Sequence, residues 1–75
     1  MLEAMGIVRE AHRGDLYAID VELAGGTRRA LCRRAGRLDR AHIRLVVGDR
    51  VRVELSPYDL TRGRVVYRLA AGESE

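Results

Sequence analysis

The stretch GDRVRVELSPYDLTRGRVVYR, Gly48–Arg68, decides the fold. Val51, Val53 and Leu55 fall on one side of an alternating run, with Arg50, Arg52 and Glu54 on the other. That is the period of a half-buried strand. A second run puts Val65, Tyr67 and Leu69 on one face and Arg64, Val66 and Arg68 on the other. Between the runs lies Ser56-Pro57-Tyr58-Asp59, in which proline presets φ and Asp59 accepts backbone N–H bonds. The stretch therefore reads as a hairpin. Its outward face is a row of arginines that core building does not require.

Similar signals extend upstream. MGIVRE (Met5–Glu10) reads as a first strand, followed by a polar HRGD turn. DLYAIDVEL alternates with Tyr17, Ile19, Val21 and Leu23 together, and TRRALCR returns as a third strand after Ala24-Gly25-Gly26. These residues are expected to supply the positive φ of a tight reversal. From Gly36 to His42 the spacing becomes helical, Leu38 lying three and four residues from Ala41 and His42. RLVVGD then serves as a linker. Five strands with a short helix between the third and fourth define an all-β chain, a five-stranded OB-fold barrel. A Src-homology-3-like barrel is the runner-up, but it usually has no helix there.

The 75 residues permit one domain, assigned to residues 1–69, with a flexible acidic tail at 70–75. A chain this small has a thin core and little room for a deep catalytic pocket. Trp and Phe are absent and three Tyr supply all the aromatic area, so aliphatic side chains must build the interior. Cys32 is the sole cysteine, which excludes an internal disulfide. No signal-like or membrane-spanning apolar run is read, and a cytoplasmic protein is expected.

Catalytic constellations are missing. Cys32, His12 and His42 sit in no nucleophile motif, and one Cys with two separated His does not make a zinc site. Gly25-Gly26 lacks the helix and lysine of a phosphate loop. No enzyme activity and no cofactor are expected. Cys32 is assigned to a buried strand position and His12 to a solvated turn.

Basic residues carry more information. The formal net charge is +3, and all 14 basic residues are arginine. Guanidinium groups grip phosphate at two points and stack on bases. Arginines crowd the third strand, the helical segment and the last hairpin, whereas acids concentrate in the second strand and the tail. A plain solvated surface, offset by Asp20, Glu22, Asp39 and Glu54, is the competing reading. A barrel with one basic side would bind nucleic-acid backbone. Tyr58 either packs beneath its turn or offers a stacking face to an unpaired base. Tyr17 and Tyr67 are assigned to the core.

Gly48–Arg68 resembles the C-terminal half of bacterial translation initiation factor one, and GRLDRAHIR (Gly36–Arg44) resembles that family more loosely. The likeness covers roughly residues 3–68. It implies an OB-fold without cofactor or reaction, binding the small ribosomal subunit at the aminoacyl site. The implied partners are decoding-region ribosomal RNA, a neighbouring ribosomal protein, and initiation factors two and three. A monomer is expected, with no membrane role. By position, the RNA-facing basic residues fall on Arg37, Arg40, Arg44, Arg62, Arg64 and Arg68. His42 and the turn residue Tyr58 join them. The chain departs from the family in four ways. Asp39 stands where a basic residue is usual, Ala41 where Asn is frequent, and Arg33-Arg34 where His and an aliphatic residue are. The first loop is about two residues longer. These departures fit a divergent or second-copy member, and Asp39 is expected to repel RNA. The alternative from another class is a general single-strand binder or RNA chaperone of cold-shock type. A third is a barrel that binds an acidic protein.

Overall fold

The computed structural model describes residues 2–69; the expected acidic tail lies outside the described residues. Strands β1 (Leu2–His12), β2 (Leu16–Leu23), β3 (Gly26–Arg34), β4 (Arg50–Ser56) and β5 (Asp59–Arg68) are joined in sequence, with helix α1 (Gly36–Arg40) between β3 and β4. They close a barrel in the order β1-β2-β3-β5-β4. The β3–β5 seam is parallel and the other contacts are antiparallel. This is the five-stranded barrel with its helix in the expected place. β1 runs further than the sequence suggested, because it pairs with β4 from Leu2 and with β2 as far as His12. His12 therefore ends a strand, and the turn is Arg13-Gly14-Asp15.

Strand alternation builds the core. Val8, Ile19, Val21, Val51, Val53, Leu55 and Val65 are fully enclosed, as is Cys32. Each enclosed aliphatic side chain contributes roughly 1.5–3 kcal/mol. Leu38 of α1 and Leu45 of the linker join the same cluster. Tyr17 is buried as expected. Burial pushes the Cys32 thiol up to about 11, so it stays protonated and a poor nucleophile at neutral pH. Among the described residues, no helix is long and apolar enough to cross a membrane, and no group of three or more His, Cys, Asp or Glu gathers for a metal ion.

Tyr67 corrects the sequence reading. Val53 pairs with Val65 but Arg52 pairs with Tyr67, so β5 carries one extra residue, Val66, against a single step of β4. Such a bulge reverses the inside–outside alternation beyond it. Tyr67 consequently turns outward, 49% exposed, and Arg68 falls opposite Val51. The β2–β3 hairpin also differs in detail. In the Leu23–Gly26 reversal, only Gly26 has positive φ, at 126°.

Two glycines mark where strands approach most closely. Gly6 lies between Val21 of β2 and Val51 of β4, and a Cβ there would stand 2.7 Å from Ile19 Cγ2 and 2.8 Å from the Asp20 carbonyl oxygen. Gly63 pairs with Leu55 on the inner face. A Cβ there would overlap the Glu54 carbonyl oxygen and stand 2.7 Å from Leu55 Cδ2. Overpacking of this kind costs about 1–3 kcal/mol. Gly63→Ala should therefore lower the urea-unfolding free energy by about 1–3 kcal/mol. Gly25→Ala, with nothing within 4 Å of its Cβ, should stay within about 0.5 kcal/mol. Equal stability of the two variants would show that the seam is not tight at Gly63.

Candidate nucleic-acid interface

Helix α1 has only five residues, so packing rather than propensity holds it. Leu38 is driven into the barrel end, and the Ala35 amide bonds to the Val65 carbonyl at 2.8 Å. The Leu38 and Asp39 amides both bond to the Ala35 carbonyl at 3.0 Å. At the C-terminus, the Ile43 amide donates to the Leu38 carbonyl and the His42 amide to the Asp39 carbonyl. These crossed bonds make a Schellman cap, with His42 in the left-handed position that glycine usually takes. His42 has φ 57° and is exposed. Leu38 and Ile43 both pack on the core, as that cap favours.

Beside α1, an open groove of about 440 Å³ brings Arg37 and Arg40 together with Arg52 of β4 and Arg64 of β5. Val66 and Tyr67 form an apolar part of its lining, and Glu3 and Glu54 are its acids. Glu54 is already engaged, accepting from Arg64 Nε at 3.1 Å and Nη2 at 3.0 Å. Four guanidinium groups against two carboxylates give the groove a net positive charge. Arg37, Arg40 and Arg52 make no ion pair among the described residues.

The other site candidates are placed as follows. Arg68 Nη1 donates to the Arg44 carbonyl at 3.3 Å, so these two residues form a second basic point next to the helical segment. Arg62 stands exposed on β5, two residues before Arg64. Tyr58 is 97% exposed, so it does not pack beneath its turn. Its amide donates to Ser56 Oγ at 3.2 Å, which leaves the ring projecting from the hairpin tip. Asp59 accepts the Thr61 amide at 3.0 Å, as the turn chemistry required. Hydrogen bonds from the Thr61 hydroxyl and amide outweigh the slight burial and, with a smaller contribution from the Arg62 charge, hold the Asp59 carboxyl below its usual range. Tyr58 lies at the opposite end of β5 from Tyr67, roughly 30 Å away for an extended strand. Sequence reading missed Arg52 as part of the groove, although its alternation with Val51 and Val53 already turned it outward. It missed Tyr67 because one bulged residue has no clear signature in sequence.

The outer face of β1, β2 and β3 is different. Asp20 accepts from Arg9 Nε at 3.0 Å and Arg29 Nε at 3.1 Å. Glu10 meets Arg29 Nη1 at 3.7 Å and His12 Nε2 at 3.0 Å. This face neutralises itself. Burial pushes the Asp20 carboxyl up, but the hydrogen bonds and charges of Arg29 and Arg9 outweigh it and hold the carboxyl below its usual range.

No known protein-family profile matches the chain. Among solved structures, it is similar to translation initiation factor one from the Wolbachia endosymbiont strain TRS of Brugia malayi. The TM-score is 0.68 and the identity 32%, over 95% of this chain and 80% of that one. It is also similar to YjeQ from Thermotoga maritima, with TM-score 0.71 and 25% identity, over 92% of this chain and 23% of that one. The closed barrel with its arginine groove defines a small OB-fold protein with the surface chemistry of a polyanion binder. At this identity and coverage, the chain belongs to the family of translation initiation factor one.

Two predictions test the local physics. Asp20 has a depressed folded-state pKa, so its contribution is present above the unfolded carboxylate value and lost as pH falls through the folded value. Asp20→Asn should lower stability at pH 7 by no more than about 1 kcal/mol. The variant and wild-type urea curves should converge in strong acid; a gap that persists there would remove the charge explanation. At the cap, left-handed φ costs an ordinary residue about 1–2 kcal/mol and glycine none. Urea midpoints should therefore rank His42→Gly at or above wild type, and His42→Val below it.

Proposed function

We propose that this chain is a translation initiation factor that binds the small ribosomal subunit at its aminoacyl site. Arg37, Arg40 and Arg64 in the groove, with Arg44, Arg62, Arg68 and His42 around it, contact decoding-region ribosomal RNA. Initiation factors two and three and a neighbouring ribosomal protein are its partners, in the cytoplasm and as a monomer. The observation that carries this reading is the uneven charge. Arginines converge at α1, β4 and β5, while on the β1–β2–β3 face Arg9 and Arg29 are spent on Asp20 and Glu10. Phosphate contacts from such a groove fix position and orientation on a folded RNA rather than reading a sequence.

A general single-strand binder needs several aromatic platforms along one face. Tyr17 is buried, and the two exposed tyrosines, Tyr58 and Tyr67, lie at opposite ends of β5. The arrangement favours structured RNA over free single strands.

Sedimentation with isolated small subunits tests the proposal. Binding should weaken with salt, the logarithmic slope being about −3 for some four phosphate contacts. Arg40→Ala should weaken binding and flatten that slope by about 1. Initiation factors two and three should strengthen the association. A flat salt profile, or equal affinity for free oligonucleotides and for subunits, would overturn the assignment.

A further inference from the structure

Arg34 ends β3 beside the groove and is only 15% exposed. Its Nη1 donates to the Ile43 carbonyl at 2.9 Å, and its Nη2 to Asp39 Oδ1 at 3.1 Å. The same Nη2 lies 3.4 Å from Asp15 Oδ2, in the turn between β1 and β2. Nε is buried and has no acceptor among the described residues. Leaving a guanidinium donor unmet in a buried place is unfavourable. The side chain therefore sits where its terminal nitrogens reach two separate segments, not where all its donors are satisfied. One of those segments, Asp39 to Ile43, is the Schellman cap that carries His42 between Arg40 and Arg44.

We propose that Arg34 is a positioning residue for the RNA-contacting segment: with Asp39 it clamps the end of α1 so that Arg37, Arg40, His42 and Arg44 are held ready for the ligand. Five residues of helix and a left-handed non-glycine cap are not stable alone. The clamp supplies the missing restraint from β3, a rigid strand. Its value to binding is preorganisation, because segments that are already ordered lose less entropy on association. This assigns Asp39 a sign opposite to simple repulsion. The acid stands among basic residues, yet its carboxylate is spent on Arg34.

The binding arm of the test rests on the proposed ribosomal function; the other arm does not. In the free protein, amide hydrogen exchange is followed at His42 and Ile43, whose donors close the cap, and at Val53 and Val65 in the barrel. Arg34→Met and Asp39→Asn should each speed exchange at His42 and Ile43 roughly tenfold without changing the barrel amides. Arg34→Lys should recover part of the protection. Because Asp39 is exposed, Asp39→Asn decides the question even if Arg34→Met does not fold. With isolated small subunits, Asp39→Asn should weaken binding, and combining it with Arg34→Met should weaken it little further. Unchanged exchange at His42 and Ile43 overturns the clamp. So does tighter subunit binding by Asp39→Asn, which is what bare repulsion predicts. If Arg40→Ala also leaves subunit binding unaffected, the ribosomal reading fails, and exchange alone decides the clamp.

Discussion

The parallel seam between β3 and β5 is the constraint on which the rest depends. Without it the chain is an open sheet with two unpaired edges, which small β proteins avoid. The seam runs from Leu31↔Arg62 to Arg34↔Val65, and the Ala35 amide extends it by bonding to the Val65 carbonyl. Closing a barrel over so few side chains brings walls into contact, and Gly63 is the residue that permits this beside Leu55. The seam also delivers function. It sets Arg33 beside Arg64, starts α1 against β5, and leaves Arg34 at the point from which it reaches the helix end.

Charge is then sorted by partner rather than by number. Arg9 and Arg29 share Asp20, so two cations are absorbed on the face of β1, β2 and β3. In the groove, Glu54 holds one arginine while Arg37, Arg40 and Arg52 keep their donors for a ligand. A formal net charge of +3 therefore understates the local field, because only Glu3 and Glu54 face the four arginines of the groove. Focused fields of this kind raise the local concentration of a polyanion.

Strand order, the helix and the core were legible because valine, isoleucine and leucine recur at period two, and turn residues separate the runs. The proline–tyrosine–aspartate turn was legible through Asp59, whose bonds are local. Tyr67 was not. A bulge at Val66 inverts one strand end, and nothing in RVVYR distinguishes a bulged valine from a paired one. Tyr58 was ambiguous for a similar reason: whether a ring folds under a turn depends on space below it, which local sequence does not encode. The groove was half legible. Arg37, Arg40 and Arg64 came from the family resemblance, but their convergence with Arg52 depends on how β4 and α1 sit across β5.

Arg34 at the end of a strand and Asp39 on a short helix look unrelated in sequence. In space they are a single pair at 3.1 Å. A largely buried arginine at the barrel end needs matching negative charge, and Asp39 supplies the nearer carboxylate, with Asp15 at 3.4 Å as the second. An unpaired aspartate at position 39 would lower the positive potential beside the arginine groove. Together each removes the other's cost. The end of α1 is then tied by an ion pair and a bond to the Ile43 carbonyl, added to the apolar contacts of Leu38 and Ile43. Directional ties of this kind restrict orientation more than apolar contact does. For a five-residue helix that carries Arg37 and Arg40 into the groove, orientation is the quantity in short supply.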